Sequence, residues 1–284
     1  MAVALHCRAL LRAILATGWT LSLLPAQYVA LRMGWRASWT IPRLYHRGNC
    51  RIMGLRLVCR GVPADPGPVL YICNHASYLD IVVLAALLRA SFVAKSEVAK
   101  WPVLGLLAKL NRTVFVERRA VRSHHHRDQM QQRLDAGESL ILFPEGTSSD
   151  GNRVLRFNST FFSIAEKGEE GAKPTVQPVS IAYTELNGLP MGRRLRPYFA
   201  WYGDMELAGH LWTMLGLGTV TVEVTFHPPV TMEGLSSRKA LARHCRAAVA
   251  RGVSDMLSGR DPLAEAPPPH FPGAPRLPNR HGDD

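Results

Sequence analysis

Two residues five positions apart, His75 and Asp80, are the pair in this sequence best suited to chemistry. They lie between two apolar runs, where a strand would end and a helix would begin. A histidine can keep a neutral imidazole near physiological pH and take a proton from a hydroxyl group. An aspartate close by can accept a hydrogen bond from the other ring nitrogen and fix the tautomer. The pair by itself is more typical of a histidine that caps a helix or fills the core, and a general base is the alternative that further features would have to favour.

Two further polar clusters also follow predicted strands. Glu145 lies within the segment Phe143–Ser149, where proline and glycine favour an exposed turn. Arg118 follows the apolar run Thr113–Val116, and its guanidinium could grip a phosphate or carboxylate with two hydrogen bonds. Each cluster alone is equally typical of a solvated turn or strand end. Because sites in open α/β sheets gather at the carboxyl ends of strands, we expect all three clusters to converge on one edge.

The elements that must position these residues alternate along the chain. Short apolar runs predict strands near residues 55–59, 69–73, 92–94, 113–116, 140–143, 176–182 and 220–226. Segments of helical spacing lie between them, at 79–88, 103–110, 120–136 and 236–257. Strands alternating with helices indicate an α/β fold, with a mixed central sheet covered by helices. Residues 51–260 are expected to form this one domain.

Composition narrows the class of protein. The chain has 284 residues, 47% of them hydrophobic, which is enough for a buried core and excludes a disordered chain. Its five cysteines are an odd number without a CxxC pair, so a disulfide framework is not expected. The net charge of +12 predicts attraction to a polyanion. A nucleic acid is the less favoured partner, because the arginines are dispersed and no nucleic-acid-binding signature is present, which leaves an anionic membrane surface or acidic small molecules.

The first fifty residues predict a membrane anchor. Ala13–Leu31 carries no formal charge and is close to the roughly 20 apolar residues needed to cross a bilayer. A cleaved signal peptide and a buried helix are the alternatives, and the anchor could either span the membrane or lie in its interface. If it spans, the arginines that follow it place the main domain on the cytoplasmic side. Residues 1–50 are thus assigned to an anchor and interfacial segment, and residues 261–284 to a disordered proline-rich tail.

Taken together, the motifs closely resemble the PlsC-type glycerolipid acyltransferase family. Four blocks appear in the family's order: Asn74-His75 through Asp80, Phe115 to Arg118, Phe143 to Thr147, and Val176 to Val179. The resemblance covers about residues 50 to 230, and four blocks at these spacings are highly specific. It implies a membrane enzyme that transfers an acyl chain from acyl-CoA or acyl carrier protein to a lipid hydroxyl. No metal, no cofactor and no acyl-enzyme intermediate are implied.

The resemblance also assigns roles to residues. It makes His75 the general base and Asp80 the residue that orients it. The positions that match the family's acceptor site are Arg118, Glu145, Gly146 and Thr147.

Two departures from the family pattern concern the acceptor. Ser148 stands where the family often has an arginine, and Arg112 replaces a usual glycine. Arg112 or Arg153 could restore the charge needed to bind a phosphate monoester. The first prediction is therefore acylation of 1-acylglycerol 3-phosphate to phosphatidic acid. The alternatives are a lyso-ornithine lipid as the acceptor, and a non-catalytic lipid-binding protein that uses the same pocket.

Overall fold

The computed structural model describes residues 2–64, 67–116, 124–166, 174–232 and 235–263. Its helices are α1 (Ala2–Arg32), α2 (Ala37–Met53), α3 (Leu79–Leu87), α4 (Leu104–Leu110), α5 (His124–Asp135), α6 (Leu207–Gly216) and α7 (Arg238–Leu257). Its strands are β1 (Leu55–Arg60), β2 (Val69–Cys73), β3 (Ala90–Lys95), β4 (Val114–Val116), β5 (Ser139–Leu142), β6 (Thr175–Leu186), β7 (Leu189–Pro190) and β8 (Val220–Phe226). Short 3₁₀ helices cover Ser96–Lys100, Ser159–Glu166 and Arg196–Tyr198.

One sheet joins the strands in the order β1-β8-β6-β2-β5-β3-β4, with β7 paired to β6 as a hairpin. The β6–β8 pair is antiparallel and the other pairs along this path are parallel. Strand β2 lies inside the sheet, and all five of its residues are buried. Such a continuous apolar run is typical of a strand covered on both faces. The prediction of a mixed α/β sheet is confirmed.

Helices cover both faces of this sheet. Side chains alternate along β2, so Tyr71 and Cys73 pack with α3, α6 and the first two helices, whereas Leu70 and Ile72 pack with α5 and α7. Helix α3 is apolar around its whole circumference, which suits a buried position beside the sheet. The core therefore consists of two apolar layers with the sheet between them.

The N-terminal helix α1 is long and apolar enough to cross a membrane, but it lies along the domain. Side-chain hydrogen bonds attach one face of it at intervals of about two turns: Trp212 to His6, Arg12 to the carbonyls of Leu215 and Leu217, Trp19 to the carbonyl of Tyr45, and Gln27 to the carbonyl of Leu110. Its other face exposes large apolar side chains, among them Leu11, Ile14 and Leu21. The helix is therefore not a buried core helix.

Some predicted features lie outside the described residues. Arg118 is one of them, as are the first residues of the helix predicted over 120–136 and the tail from residue 264 onward. The predicted limits of the anchor, the domain and the tail stay predictions.

Candidate active site

His75 and Glu145 follow adjacent parallel strands. His75 comes two residues after β2 and Glu145 three residues after β5, and these strands pair in register from Leu70–Leu140 onward. Their carboxyl ends therefore lie side by side. The backbone N–H of His75 donates a hydrogen bond of 3.1 Å to the Glu145 carboxylate and joins the two segments.

The chain turns sharply after His75 and brings Asp80 back beneath it. His75 Nδ1 lies 2.9 Å from Asp80 Oδ2. The same oxygen accepts hydrogen bonds from the backbone N–H groups of Ala76 and Ser77, at 2.7 and 2.9 Å. Asp80 is also in the first turn of α3, where the helix dipole favours a negative charge. An ionised carboxylate is only an acceptor, so a neutral imidazole hydrogen-bonded to it through Nδ1 has its proton on Nδ1 and its lone pair on Nε2.

Tyr183 completes the surroundings of Asp80 and was missed in the sequence analysis. Its hydroxyl group, on β6, donates a hydrogen bond of 2.6 Å to Asp80 Oδ1. Burial raises the pKa of Tyr183 well above its usual value, and the negative charge of Asp80 raises it further, so the hydroxyl stays protonated. The sequence offers one signal for it: strand alternation places Tyr183 on the same face as Val179. The structure then pairs Val179 with Cys73 at the end of β2.

The His75 ring is partly accessible and is flanked by aromatic side chains. It stacks on Phe143 with 4.1 Å between ring centroids, and Phe143 stacks in turn on Phe92. The His75 side chain is 21% exposed, whereas that of Asp80 is fully buried. Among the described residues, His75 Nε2 has no hydrogen-bond partner. The His75 ring is thus held through Nδ1 and partly accessible elsewhere, beside the aromatic side chain of Phe143.

Glu145 fixes two loops. One carboxylate oxygen accepts from His75 N, and the other accepts from Leu155 N at 3.1 Å. Burial raises the pKa of Glu145 to about 7, although both N–H donors and His75 act in the opposite direction. Gly146 has φ +69°, a value that glycine adopts without strain, and the Thr147 side chain that follows is exposed. The structure therefore brings the predicted residues Glu145, Gly146 and Thr147 to the same edge as His75.

Further backbone contacts hold the loop that carries His75. The N–H of Ser149 donates to the carbonyl of His75 at 2.9 Å, and the N–H of Trp201 donates to the carbonyl of Ala76 at 2.8 Å. Ser148, at the position where the family often has arginine, donates its hydroxyl to the carbonyl of Trp201. Ser148 therefore ties two loops together.

Arg112 is not near His75. It lies two residues before the amino end of β4, whereas His75 lies at the carboxyl edge of the sheet. Its guanidinium is paired with Glu138, which immediately precedes the amino end of β5, and lies 4.1 Å from the centroid of the Trp39 ring. Strand direction therefore places Arg112 at the opposite edge from His75, so this geometry gives no support to the prediction that Arg112 binds the acceptor. Arg153 is exposed on the loop between Ser149 and Leu155, and Arg118 lies outside the described residues.

Comparisons with known proteins bear on the family of this chain. The family model "Acyltransferase" matches residues 56–182. The lyso-ornithine lipid O-acyltransferase of Brucella abortus is 44% identical over 85% of this chain and 92% of that protein. The counterpart from Rhizobium meliloti is 39% identical over 92% of this chain and 91% of that protein. The 1-acyl-sn-glycerol-3-phosphate acyltransferase of Neisseria gonorrhoeae is 34% identical over 60% of this chain and 63% of that protein.

A solved structure shares the fold. The crystal structure of the 1-acyl-sn-glycerophosphate acyltransferase PlsC from Thermotoga maritima aligns with a TM-score of 0.58 at 22% identity, over 89% of this chain and 96% of that one. The ordered motifs, the sheet-edge site and the extent of the match to the Brucella protein lead to one conclusion: this chain is a member of the acyltransferase family.

Proposed function

We propose that this protein is a lysolipid O-acyltransferase in which His75 is the catalytic base. The observation that carries this proposal is the hydrogen bond between His75 Nδ1 and the buried Asp80, which leaves Nε2 available at a partly open edge. An acyl thioester, from acyl-CoA or acyl carrier protein, is the donor, and a membrane lysolipid with a free hydroxyl is the acceptor. Both the acceptor and the roles of individual residues are part of this proposal.

The reaction needs one proton to move twice. The acceptor hydroxyl attacks the thioester carbonyl while His75 Nε2 removes its proton. A carbon–oxygen bond forms, the carbon–sulfur bond breaks, and the leaving thiolate takes the proton from the imidazolium. The products are an ester and a free thiol. Asp80 stabilises the imidazolium during the step without taking the proton itself.

Tyr183 is proposed as a positioning residue. An ionised carboxylate that is fully buried is costly unless hydrogen bonds replace its hydration. The Tyr183 hydroxyl donates a hydrogen bond to Oδ1 of Asp80. Two backbone N–H groups and His75 Nδ1 are hydrogen-bonded to Oδ2. The carboxylate therefore has one orientation, which also fixes the plane of the His75 ring.

For the acceptor we propose a lyso-ornithine lipid, the alternative in the sequence analysis. Ser148 stands where an arginine would help to bind a phosphate monoester, and its hydroxyl is used to hold Trp201. Arg112, which could have restored the charge, is paired with Glu138 at the other edge of the sheet. Relatives with the lyso-ornithine name also match more of this chain, and at higher identity, than the relative from Neisseria gonorrhoeae. The phosphate-bearing acceptor remains the second candidate because of that relative.

The membrane contact is proposed to be interfacial. The contacts of α1 with the domain run from His6 to Gln27, and a helix that crossed the bilayer could not keep them all with a domain outside it. We infer that α1 lies along the membrane surface, with its exposed apolar face in the lipid. The thioester donors are made in the cytoplasm, which supports a location of the domain on the cytoplasmic face of the membrane.

The first prediction concerns the base. His75→Ala should lower kcat about 10²–10⁴-fold, the usual contribution of a general base, and leave the protein folded. Release of free thiol by purified protein, given an acyl thioester and lysolipid in detergent, measures this loss. His244→Ala, on the exposed side of α7, is the matched control and should keep the wild-type rate. An unchanged rate in His75→Ala would exclude the mechanism, and lipid binding without any thiol release would support the non-catalytic alternative.

The second prediction tests the positioning role. Tyr183→Phe should lower kcat about tenfold, or about 1.4 kcal/mol, and leave KM nearly unchanged because the hydroxyl touches no substrate. Steady-state kinetics on protein whose folded fraction is checked by thermal unfolding measures the effect. Tyr198→Phe, at an exposed site, should behave as wild type. A purely structural Tyr183 would lower the thermal midpoint but not kcat per folded molecule.

The third prediction concerns acceptor choice. The wild type should have at least about tenfold higher kcat/KM for lyso-ornithine lipid than for 1-acylglycerol 3-phosphate. Ser148→Arg should raise activity towards the phosphate acceptor about tenfold, because a hydrogen bond to a charged group contributes about 1.5–3 kcal/mol. Ser148→Ala separates this gain from loss of the bond to Trp201. Wild-type preference for the phosphate acceptor would contradict the assignment.

The fourth prediction concerns the orientation of α1. An epitope tag placed before Ala2 should be protected from protease added to intact bacterial spheroplasts, and cleaved in inverted membrane vesicles. This is expected because α1 stays on the same side of the membrane as the domain. Cleavage of the tag in intact spheroplasts would show that α1 crosses the bilayer.

A further inference from the structure

A short apolar segment that follows the 3₁₀ helix Ser96–Lys100 and enters the first turn of α4 is exposed to solvent. In residues 101–106, called here the 101–106 loop, the side chains of Trp101, Val103, Leu104 and Leu106 are all more than a third exposed. Contiguous exposed apolar surface in a soluble domain usually marks an interaction site. Nothing in the catalytic geometry above requires these side chains to face outward.

The backbone of this loop is strained at its most exposed residue. Val103 has φ 60° and ψ −57°, and the N–H of Leu104 bonds to the carbonyl of Pro102 at 2.6 Å. These values describe a γ-turn of the rare, unfavourable hand. A β-branched residue is among the least suited to it. Yet the turn presents Val103 with 69% of its surface exposed. Strain that persists at an exposed apolar residue indicates a functional constraint.

The loop lies next to the catalytic edge. The Trp101 ring packs edge-on against that of Trp201, with 6.3 Å between centroids. The Trp201 backbone N–H is bonded to the carbonyl of Ala76, the residue after His75. Trp201 therefore links the 101–106 loop to the turn that carries His75, through one ring contact and one hydrogen bond.

The 101–106 loop is also linked to α1, because α4, which follows the loop, is hydrogen-bonded to that helix. Gln27 of α1 donates a buried hydrogen bond of 2.7 Å to the carbonyl of Leu110, at the end of α4. Near this contact, Tyr28 and Val29 of α1 are exposed. Exposed Lys100 and Lys109 lie on either side of the loop in the sequence. Apolar side chains bordered by lysines suit the boundary between lipid tails and head groups.

We propose that the 101–106 loop inserts into the same leaflet as α1 and forms the entry point through which a lysolipid passes from the bilayer towards His75. The proposal rests on the proposed function, because it requires a membrane-resident acceptor. A second copy of this chain is the other possible occupant. Four exposed apolar side chains are few beside the roughly 20–30 residues per partner of a standard protein interface, so the bilayer is favoured.

The test compares two identical substitutions. Val103→Asp places a charge at the tip of the loop, and Val62→Asp places the same charge on a residue of similar exposure, 75%, beyond β1 at the opposite edge of the sheet. Aspartate tolerates positive φ better than valine, so Val103→Asp adds no backbone strain. Binding of the full-length proteins to phosphatidylglycerol–phosphatidylcholine vesicles is measured by co-sedimentation. Activity is measured with lyso-ornithine lipid in vesicles and with a short-chain, water-soluble lyso-ornithine analogue.

Val103→Asp should weaken vesicle binding about tenfold relative to Val62→Asp. Its activity on the vesicle acceptor should fall at least about tenfold more than its activity on the soluble one. Equal vesicle binding by the two variants would overturn the proposal, as would an equal loss with both acceptors. A wild-type dimer that Val103→Asp converts to a monomer would also overturn it, in favour of a second copy. Absence of thiol release by the wild type would count against the proposed function alone, because vesicle binding is measured without turnover.

Discussion

The arrangement of the site depends on one buried carboxylate. Asp80 has no exposed surface, so it can remain charged only because hydrogen-bond donors surround it. The donors are the backbone N–H groups of Ala76 and Ser77, the Tyr183 hydroxyl and His75 Nδ1. Three of the four come from the turn that carries the base, and the fourth comes from a strand far away in the sequence. The same set of hydrogen bonds therefore stabilises the buried Asp80 carboxylate and orients the His75 ring.

The strands on both sides of β2 hold this turn in position. Strand β2 is central, and its two neighbours, β5 and β6, each contribute a constraint at its carboxyl end. The Glu145 carboxylate, beyond β5, accepts from the backbone of His75, and Tyr183 of β6 reaches Asp80. The Asn74 side chain bonds to both the N–H and the carbonyl of Ile181 on β6, at 2.9 Å each. His75 therefore lies on a turn that the strands on both sides hold in place, while its Nε2 lies at the open edge.

Exposed apolar side chains are concentrated on the side of the domain that carries the candidate site. The outward face of α1 and the 101–106 loop expose apolar side chains, and the loop touches Trp201 beside the catalytic turn. In the proposed reaction, a lipid acceptor would leave the bilayer only far enough for its hydroxyl group to reach His75. An apolar surface that ends next to the base shortens the path over which acyl chains would contact water, which is the main free-energy cost of moving such a lipid.

The sequence alone determined the class of fold and the positions of most strands, and it singled out His75 and Asp80, which the structure brings into hydrogen-bond contact. Apolar runs and turn residues are local signals, and the order of the four motif blocks could be read along the chain. It did not reveal Tyr183, because this contact depends on which strand lies beside β2. It also offered Arg112 as an acceptor residue, because sequence proximity to a strand does not show which end of the sheet a side chain reaches. Strand order and strand direction decided both questions, since only they determine which distant side chains share an edge and can meet a buried charge.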